Sequence, residues 1–258
     1  MRVSFVFAKA YSYKGGIEKF NQCLLKALSD LSIQDKSFQL SAISLYEKKY
    51  DKRYCLEEQM TGYGGNKIFF FMGALWKSLQ SDILIISHIN FSPTAFFIRL
   101  ILPKKKLIVL VHGIEVWKKL NGIQLKALLH ADKIWSVSEF TKEQLIQYNQ
   151  EIPFNKIQIF PNTIDPYFPK PSVFEKPDYL LDRYGLKKTD SILITITRLS
   201  SAEQYKGYDK VIEALALLNQ PNIYYIIGGK YDEIEKQRVS DLIEKHQLQN
   251  NIILAGYI

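Results

Sequence analysis

The sequence predicts an α/β protein built from two consecutive units, each with a mainly parallel sheet. Short apolar runs alternate with amphipathic stretches, which is the pattern of βαβ units. A length of 258 residues fits one large domain or two of ordinary size. Five of the nine prolines fall within residues 161–177, where no hydrophobic period is visible, so a linker is expected there.

The first unit is expected to span residues 1–165. Its strands are recognised as short apolar runs rich in β-branched and aromatic residues, and its helices as stretches with apolar positions three and four apart. Strands are expected at Val3–Ala8, Phe38–Leu45, Lys67–Phe71, Asp82–Ser87, Leu107–Val111, Lys133–Val137 and Ile157–Phe160. Helices are expected at Ile17–Leu31, from the end of the third strand to Leu79, and at Pro93–Leu102, Leu120–Leu129 and Glu139–Tyr148.

The second unit is expected to span residues 179–258, after a proline-rich linker at 166–178. Its expected elements, in chain order, are the helix Tyr179–Tyr184, the strand Ile192–Thr197, the helix Tyr208–Leu218, the strand Ile223–Ile227, the helix Asp232–His246 and the strand Ile252–Leu254. Three strands are fewer than the ~5–6 of a mean sheet. We therefore expect the second sheet to be incomplete and the chain to be a truncated gene product, a fragment or half of a split enzyme.

Composition limits the classes of partner. The formal net charge of +8 would suit nucleic acid, anionic lipid or a phosphorylated substrate. The charge is dispersed, Lys104–Lys106 is the only run of three, and no nucleic-acid-binding motif is visible, so we expect no nucleic-acid partner. Two cysteines without metal or disulfide spacing favour a reducing compartment. No apolar stretch approaches the ~20 residues of a membrane span, so a cytoplasmic protein is expected, with peripheral contact at the inner membrane face left open.

Two cations follow the expected strand at 192–197. Arg198 and Lys206 lie eight positions apart in a polar loop, and Gly207 comes next. In an open α/β sheet, ligands bind beyond the carboxyl ends of the strands. Two cations and a glycine there suit a diphosphate, because the charges can meet its oxygens and the backbone can approach closely. The alternative is a pair of solvated surface charges.

Two glycine pairs also stand at strand ends. Gly15 and Gly16 separate the first strand from the first helix, where backbone amides and a helix N-terminus can face an anion or a sugar. The geometry of the turn alone is an equal explanation, and the G-x-G-x-x-G dinucleotide pattern is absent. Gly228 and Gly229 end a strand of the second unit, where they would let a base or ribose lie against the backbone.

Two of the four histidines end neighbouring strands of the first unit. His88, with Asn90 two positions on, follows one strand and His112 follows the next. Both would face the ligand crevice, and His112 could contact a phosphate or hydroxyl or carry a proton near neutral pH. The alternative is that backbone carbonyls satisfy them. No metal-ligand cluster, Ser/His/Asp arrangement or P-loop is visible.

Six segments, in this order, resemble the GT-B retaining glycosyltransferases of family 4: GGIEKF, HGIEVW, ADKIWSVSEFT, KIQIFPNTID, TRLSSAEQYKGYDKVIEAL and YYIIGG. The likeness spans nearly the whole chain. It implies two Rossmann-like parallel-sheet domains that face one cleft, the second incomplete here. The first would hold a saccharide or lipid-linked acceptor and the second a nucleotide-sugar donor. It also implies transfer of a hexose to a polysaccharide or glycolipid with retained configuration, without a metal or other cofactor.

The resemblance implies a role for each candidate residue of the donor side. Arg198 and Lys206 would grip the donor diphosphate, Gly15 and Gly16 would lie near it, and His112 would be the catalytic residue beside the reacting sugar. On the remaining sides, the site would be completed by Gly228 and Gly229 at the nucleotide and by His88 and Asn90 at the acceptor.

One family feature is absent. The family carries two glutamates eight positions apart in the second domain, whereas the only pair with this spacing here, Glu143 and Glu151, falls in the first unit. The chain alone is therefore expected to be inactive. The alternative function is a binding or interaction module whose partner chain supplies the missing half.

Overall fold

The computed structural model describes residues 1–12 and 15–257. The chain divides into two compact units, Met1–Pro169 and Lys170–Ile258. The division falls inside the proline-rich stretch, whose residues 161–177 are almost all exposed and form neither helix nor strand. The α/β class expected from the sequence is confirmed in both units.

Unit 1 alternates strands and helices. Its strands are β1 Arg2–Phe7, β2 Gln39–Ser44, β3 Met60–Gly62, β4 Ile83–Ile86, β5 Lys106–Val111, β6 Lys133–Ser136 and β7 Ile157–Ile159. Its helices are α1 Gly16–Gln34, α2 Lys67–Gln80, α3 Ser92–Ile101, α4 Gly122–His130 and α5 Glu139–Tyr148.

The strand expected at Lys67–Phe71 is wrong, because these residues form the first turns of α2. Asn66 caps the helix, with its side-chain oxygen accepting a hydrogen bond from Phe69 N at 3.1 Å. A short apolar run has no period that separates a strand from a buried helix. The strand that pairs here is instead β3, whose three residues are too few to give a pattern.

All seven strands of unit 1 are parallel, in the order β3-β2-β1-β4-β5-β6-β7. Successive residues point to opposite faces. Val6 and Val109 are buried on one face, whereas Phe5 and Leu110 are buried on the other. Both faces of the sheet are therefore covered, as parallel sheets require. The chain moves outward from β1 to β3 and returns to β4 on the other side of β1, which makes the β1–β4 boundary the topological switch point.

Unit 2 is smaller. Its elements are α6 Asp178–Tyr184, β8 Ser191–Ile196, a 3-10 helix at Ser201–Lys206, α7 Tyr208–Leu218, β9 Ile223–Gly228, α8 Glu233–Lys245 and β10 Ile252–Gly256. Within the described residues its parallel sheet has three strands in the order β10-β9-β8. Tyr208, Ile212 and Tyr225 centre its core. The strand β8 at its edge leaves Ile194 and Ile196 61% and 70% exposed.

Candidate functional site

The carboxyl ends of β4 and β5 bring His88 and His112 together. Their ring centroids lie 5.9 Å apart with the planes inclined by 17°. The edge of the Phe20 ring packs against His112 with centroids 5.0 Å apart. The pairing of two strand-end histidines follows from the parallel register of β4 and β5, which places their ends side by side.

Backbone contacts fix both imidazoles. His88 Nδ1 accepts from Asn90 N at 3.0 Å, so Nε2 carries the proton of the neutral ring. His112 Nε2 donates to the Ser87 carbonyl at 2.7 Å. Burial lowers the pKa of both rings below the usual 6.5, and the Glu115 carboxylate only partly opposes it. Proximity to His112 lowers the pKa of His88 further, so the pair is neutral at pH 7.

A cavity of about 530 Å³ opens beside the switch point. His88 and Asn90 line it, as does Ser87, whose buried hydroxyl has no hydrogen-bond partner among the described residues. Glu18 and Lys67, from the first turns of α1 and α2, add one charge of each sign to a largely apolar wall. The cavity is suited to a ligand with hydroxyl groups on an apolar body.

Glu47, which the sequence did not single out, holds the loop between β1 and α1. Its buried carboxylate oxygen Oε1 accepts from the amides of Ala10, Tyr11 and Ser12 at 2.9, 2.8 and 3.0 Å, and from Ser12 Oγ at 3.1 Å. Burial raises the pKa of this carboxyl, but the hydrogen bonds outweigh it and the pKa lies below its usual value. These three amides are consequently occupied and are not donors for a phosphate.

The glycine pair opens space at the N-terminus of α1. Gly15 is the N-cap in an extended conformation and Gly16 is the first helical residue. Nothing described lies within 4 Å of the position that a Cβ of Gly16 would take, and its φ is not positive. Neither neighbouring atoms nor the backbone therefore demand a glycine at residue 16, which weakens the purely geometric explanation for that position.

A second cavity of about 690 Å³ adjoins Gly15 and is closed by the end of unit 1. Asp165 on its wall accepts from Lys19 Nζ and Tyr54 OH, both at 2.6 Å, and from Tyr167 N at 2.9 Å. Burial raises the pKa of Asp165, but these contacts outweigh it and lower the pKa to about 2. Asp165 therefore joins α1, the loop after β2 and the last segment of unit 1.

In unit 2, Arg198 and Lys206 converge on one carboxylate. Glu203 Oε2 lies 2.7 Å from Lys206 Nζ and 3.6 Å from Arg198 Nε. Lys206 Nζ also donates to the Arg198 carbonyl at 3.2 Å. Arg198 is exposed to solvent, whereas Lys206 and Glu203 are partly buried. The two cations are thus brought together as a diphosphate clamp requires, but Glu203 neutralises one of the two charges.

The loop that carries Lys206 is anchored to α8. Ser201 N donates to Asp232 Oδ2 at 2.9 Å, and Gln204 Nε2 donates to Glu235 Oε2 at 3.0 Å. Glu235 is fully buried and pairs with Arg238 Nη2 at 2.6 Å. A buried carboxylate needs such partners, which explains why three side chains surround it.

The second glycine pair has a structural explanation at one position. A Cβ on Gly229 would lie 1.7 Å from the Thr197 carbonyl oxygen, and its φ of +141° belongs to glycine. Gly228 accepts a hydrogen bond from Thr197 N at 2.8 Å. The pair thus joins the ends of β8 and β9, and its nucleotide-side role stays a prediction.

Other carboxylates give no further site. Glu143 lies on α5 and Glu151 follows it, both on the surface of unit 1. Within residues 1–12 and 15–257, no group of three or more His, Cys, Asp or Glu side chains is arranged to hold a metal ion.

Two family sequence models match the chain in succession. Residues 58–168 match "Glycosyltransferase Family 4" and residues 180–258 match "Glycosyl transferases group 1". Together they match well over half of the chain. The chain belongs to the group 1 glycosyltransferases. No curated protein sequence matches it.

Solved glycosyltransferase structures share the fold. HepE from Anabaena, solved with UDP, is 15% identical with a TM-score of 0.70 over 100% of this chain and 70% of its own. A glycosyltransferase from Rickettsia africae is 19% identical with a TM-score of 0.68 over 99% and 68%. Starch synthase IV from Arabidopsis thaliana, solved with ADP and acarbose, is 13% identical with a TM-score of 0.62 over 99% and 73%. Such low identity establishes only the fold, the GT-B type expected from the sequence.

Proposed function

We propose that this glycosyltransferase moves a hexose from a nucleotide-diphosphate sugar to a polysaccharide or glycolipid acceptor, with retention of configuration. The convergence of Arg198 and Lys206 beyond the end of β8 is the observation that carries the proposal. The likeness of the fold to HepE, solved with UDP and with UDP-glucose, and to starch synthase IV, solved with ADP, supports a nucleotide-diphosphate donor.

In the proposed reaction, the bond between the sugar C1 and the diphosphate oxygen breaks, and C1 bonds to an acceptor oxygen on the same face. The acceptor hydroxyl gives its proton to the departing diphosphate oxygen, and the diphosphate leaves as an anion. Arg198 and Lys206 stabilise that anion, because the phosphate oxygens replace the Glu203 carboxylate as the partner of both cations. Within unit 1, Gly15 and Gly16 leave the N-terminus of α1 open to an anionic group. The two cations make a metal or other cofactor unnecessary.

The acceptor is proposed to enter the cavity of unit 1. His88, Asn90 and the unpartnered Ser87 hydroxyl would bind its hydroxyl groups. Neutral His112 would lie near the reacting sugar as the catalytic residue, able to accept a hydrogen bond or a proton. The protein would work in the cytoplasm, on saccharide or lipid-linked acceptors and without nucleic acid.

Isothermal titration of the 258-residue chain with UDP, GDP and ADP tests the donor site. Lys206→Ala is expected to weaken binding of the preferred nucleotide at least tenfold, since a charge-assisted hydrogen bond contributes about 1.5–3 kcal/mol. Lys210→Ala is the matched control, because this exposed lysine also pairs with a glutamate, at 3.0 Å from Glu213. Equal affinities of wild type and Lys206→Ala would remove both Arg198 and Lys206 from the donor site.

The alternative is a binding module that acts with a partner chain. It is favoured by the lack of two glutamates eight positions apart among residues 179–258. This alternative predicts donor binding without turnover, and turnover restored by a second chain that carries such a pair. Sustained sugar transfer by the 258-residue chain alone would exclude it.

A further inference from the structure

Helix α2 of unit 1 is apolar on two opposite sides. Phe70, Ala74 and Ser78 are buried on one side. The opposite side projects a continuous apolar stripe, of which Ile68 is 72% and Trp76 62% exposed. The full stripe is Ile68, Phe69, Met72, Trp76 and Leu79. A helix that is apolar on all sides is normally buried on all sides. Among the described residues, nothing covers the exposed side of α2.

Helix α3 extends the same surface. Phe97 of α3 meets Phe71 of α2 edge to face, with ring centroids 6.3 Å apart. Leu100 and Ile101 continue the exposed apolar surface to the end of α3. We call these exposed residues of α2 and α3 the α2–α3 face. Contiguous apolar patches of this kind on a soluble domain mark an interaction surface.

The charges around the α2–α3 face are predominantly positive. Residues 60–113 contain six lysines and arginines against a single carboxylate, Asp82, which lies before β4 and accepts from Arg2 N at 2.7 Å. The Lys105 ammonium reaches the end of α2, where it donates to the carbonyls of Leu79 and Ser81. Arg99 pairs with Asp132 at 3.3 Å and contributes less. The other cations are Lys67, Lys77, Lys104 and Lys106.

We propose that the α2–α3 face binds the surface of a bilayer that contains anionic lipids. Exposed Phe, Leu and Trp side chains would enter the interface, and the surrounding lysines would meet the lipid phosphates. An aromatic residue such as Trp76 is favoured at this depth, because its ring is apolar and its N–H stays near water. Helix α2 has 14 residues, about 21 Å, whereas a bilayer core is about 30 Å thick. None of the described helices has the length and hydropathy to cross a membrane.

The position of α2 also relates the face to the acceptor cavity. Lys67 and Phe70 of α2 line the 530 Å³ cavity. A lipid-linked acceptor held in the bilayer could therefore reach the cavity along the first turns of α2. This second step rests on the proposed function, whereas binding of the bilayer does not.

Co-sedimentation of the 258-residue chain with lipid vesicles tests the proposal. We expect binding to vesicles of phosphatidylcholine mixed with phosphatidylglycerol, and at least tenfold weaker binding to phosphatidylcholine alone. The double variant Phe69→Ser/Trp76→Ser should lose at least tenfold in affinity. Leu217→Ser/Ile234→Ser is the control, because it removes from unit 2 two apolar side chains that are more exposed than Phe69 and Trp76, and it should bind as wild type does.

The charge contribution is tested separately. Lys104→Gln/Lys106→Gln should weaken binding to the mixed vesicles about tenfold and reduce its salt dependence. Lys187→Gln/Lys245→Gln, at exposed lysines of unit 2, should not change it.

Three results would overturn the proposal. Unchanged vesicle binding by Phe69→Ser/Trp76→Ser would exclude a role of the apolar stripe in binding. Equal binding to neutral vesicles would exclude recognition of anionic lipid. A wild-type dimer in sedimentation velocity that the same double variant converts to a monomer, without vesicle binding, would assign the face to a second copy of the chain. Titration of each variant with the preferred nucleotide separates these results from a failure of the proposed function, because donor affinity should be unaffected.

Discussion

Both units hold a carboxylate beside the loop that follows their first strand, but they hold it differently. In unit 1, Glu47 is buried and accepts four hydrogen bonds from uncharged donors, three of them backbone amides. In unit 2, partly buried Glu203 lies between the side chains of Arg198 and Lys206. One carboxylate is bonded to the backbone and the other to two flexible cations.

The comparison indicates that the Glu47 carboxylate has a structural role, whereas the Glu203 carboxylate has partners that could also bind phosphate. Removing Glu47 would leave the buried amide of Ala10 and the partly buried amides of Tyr11 and Ser12 without their shared acceptor, so its contacts belong to the fold. Phosphate oxygens can replace the Glu203 carboxylate, because Arg and Lys pair with either. Unit 1 therefore fixes its loop through backbone contacts, whereas the contacts of Glu203 in unit 2 are ones that the proposed diphosphate would replace.

The largest expected effect comes from Glu47→Ala. Loss of the acceptor shared by one buried and two partly buried amides should lower the free energy of unfolding of unit 1 by about 2–3 kcal/mol. Urea unfolding followed by tryptophan fluorescence measures this, since Trp76, Trp117 and Trp135 all lie in unit 1. Glu58→Ala, at an exposed glutamate, should change it by less than about 0.5 kcal/mol. Equal losses in the two variants would contradict a structural role for Glu47.

Asp165 should also stabilise unit 1, and the pH dependence of the free energy of unfolding should show this. Its pKa is lowered to about 2 from 3.8, so the unfolded chain binds the proton first as the pH falls. The contribution of Asp165 to stability is complete above about pH 4 and is lost on going down to about pH 2. Asp165→Asn should remove about 1.5 kcal/mol at pH 7 and flatten the urea midpoint in that window.

Asp30→Asn serves as the comparison for Asp165. Asp30 also pairs with a lysine, Lys26, on the surface of α1. The variant should change the free energy of unfolding at pH 7 by less than about 0.5 kcal/mol, because the pair lies on the surface. A loss as large as that of Asp165→Asn would show that the two ion pairs contribute alike.

Glu203→Gln should have a smaller and opposite effect, on binding. Without the carboxylate, both cations are free for phosphate, so affinity for the preferred nucleotide should rise about fivefold at low salt, or about 1 kcal/mol. Titration calorimetry measures it, and Glu213→Gln, which removes the partner of Lys210, should leave affinity unchanged. Weaker binding by Glu203→Gln would mean that Glu203 positions the cations and is not exchanged.

The smallest effect concerns His88 and His112 near neutral pH. Since burial lowers the pKa of both, NMR titration of the imidazole carbons should give midpoints below 6.5, with assignments from His88→Gln and His112→Gln. The unfolded chain takes up these protons first, so stability should decline as the pH falls below about 6.5. A midpoint above 6.5 for either histidine would contradict the neutral pair.

Much of the fold was predictable from local patterns. The helices Glu139–Tyr148 and Tyr208–Leu218 have the expected bounds, because apolar spacing and N-caps such as Ser138 act within one or two turns. The strand expected at Lys67–Phe71 is wrong, since four consecutive apolar residues fit a strand as well as a helix. The 3-10 helix Ser201–Lys206 was missed because it lacks an apolar period.

The candidate site was predictable in part. Arg198 with Lys206 and His88 with His112 were expected near each other, and the structure places them so, although their roles stay predictions. Glu47 was missed because its three amide partners are 35 to 37 positions away in the chain.

The sequence by itself determined the α/β class and the strand ends that carry the candidate residues. These depend on periodicity and on turn residues, which act between neighbours in the chain. Only the tertiary structure decided which carboxylate meets which donor and which side of α2 stays uncovered. Both depend on residues that lie far apart in sequence, and an apolar helix gives no local sign of the side that its neighbours will bury.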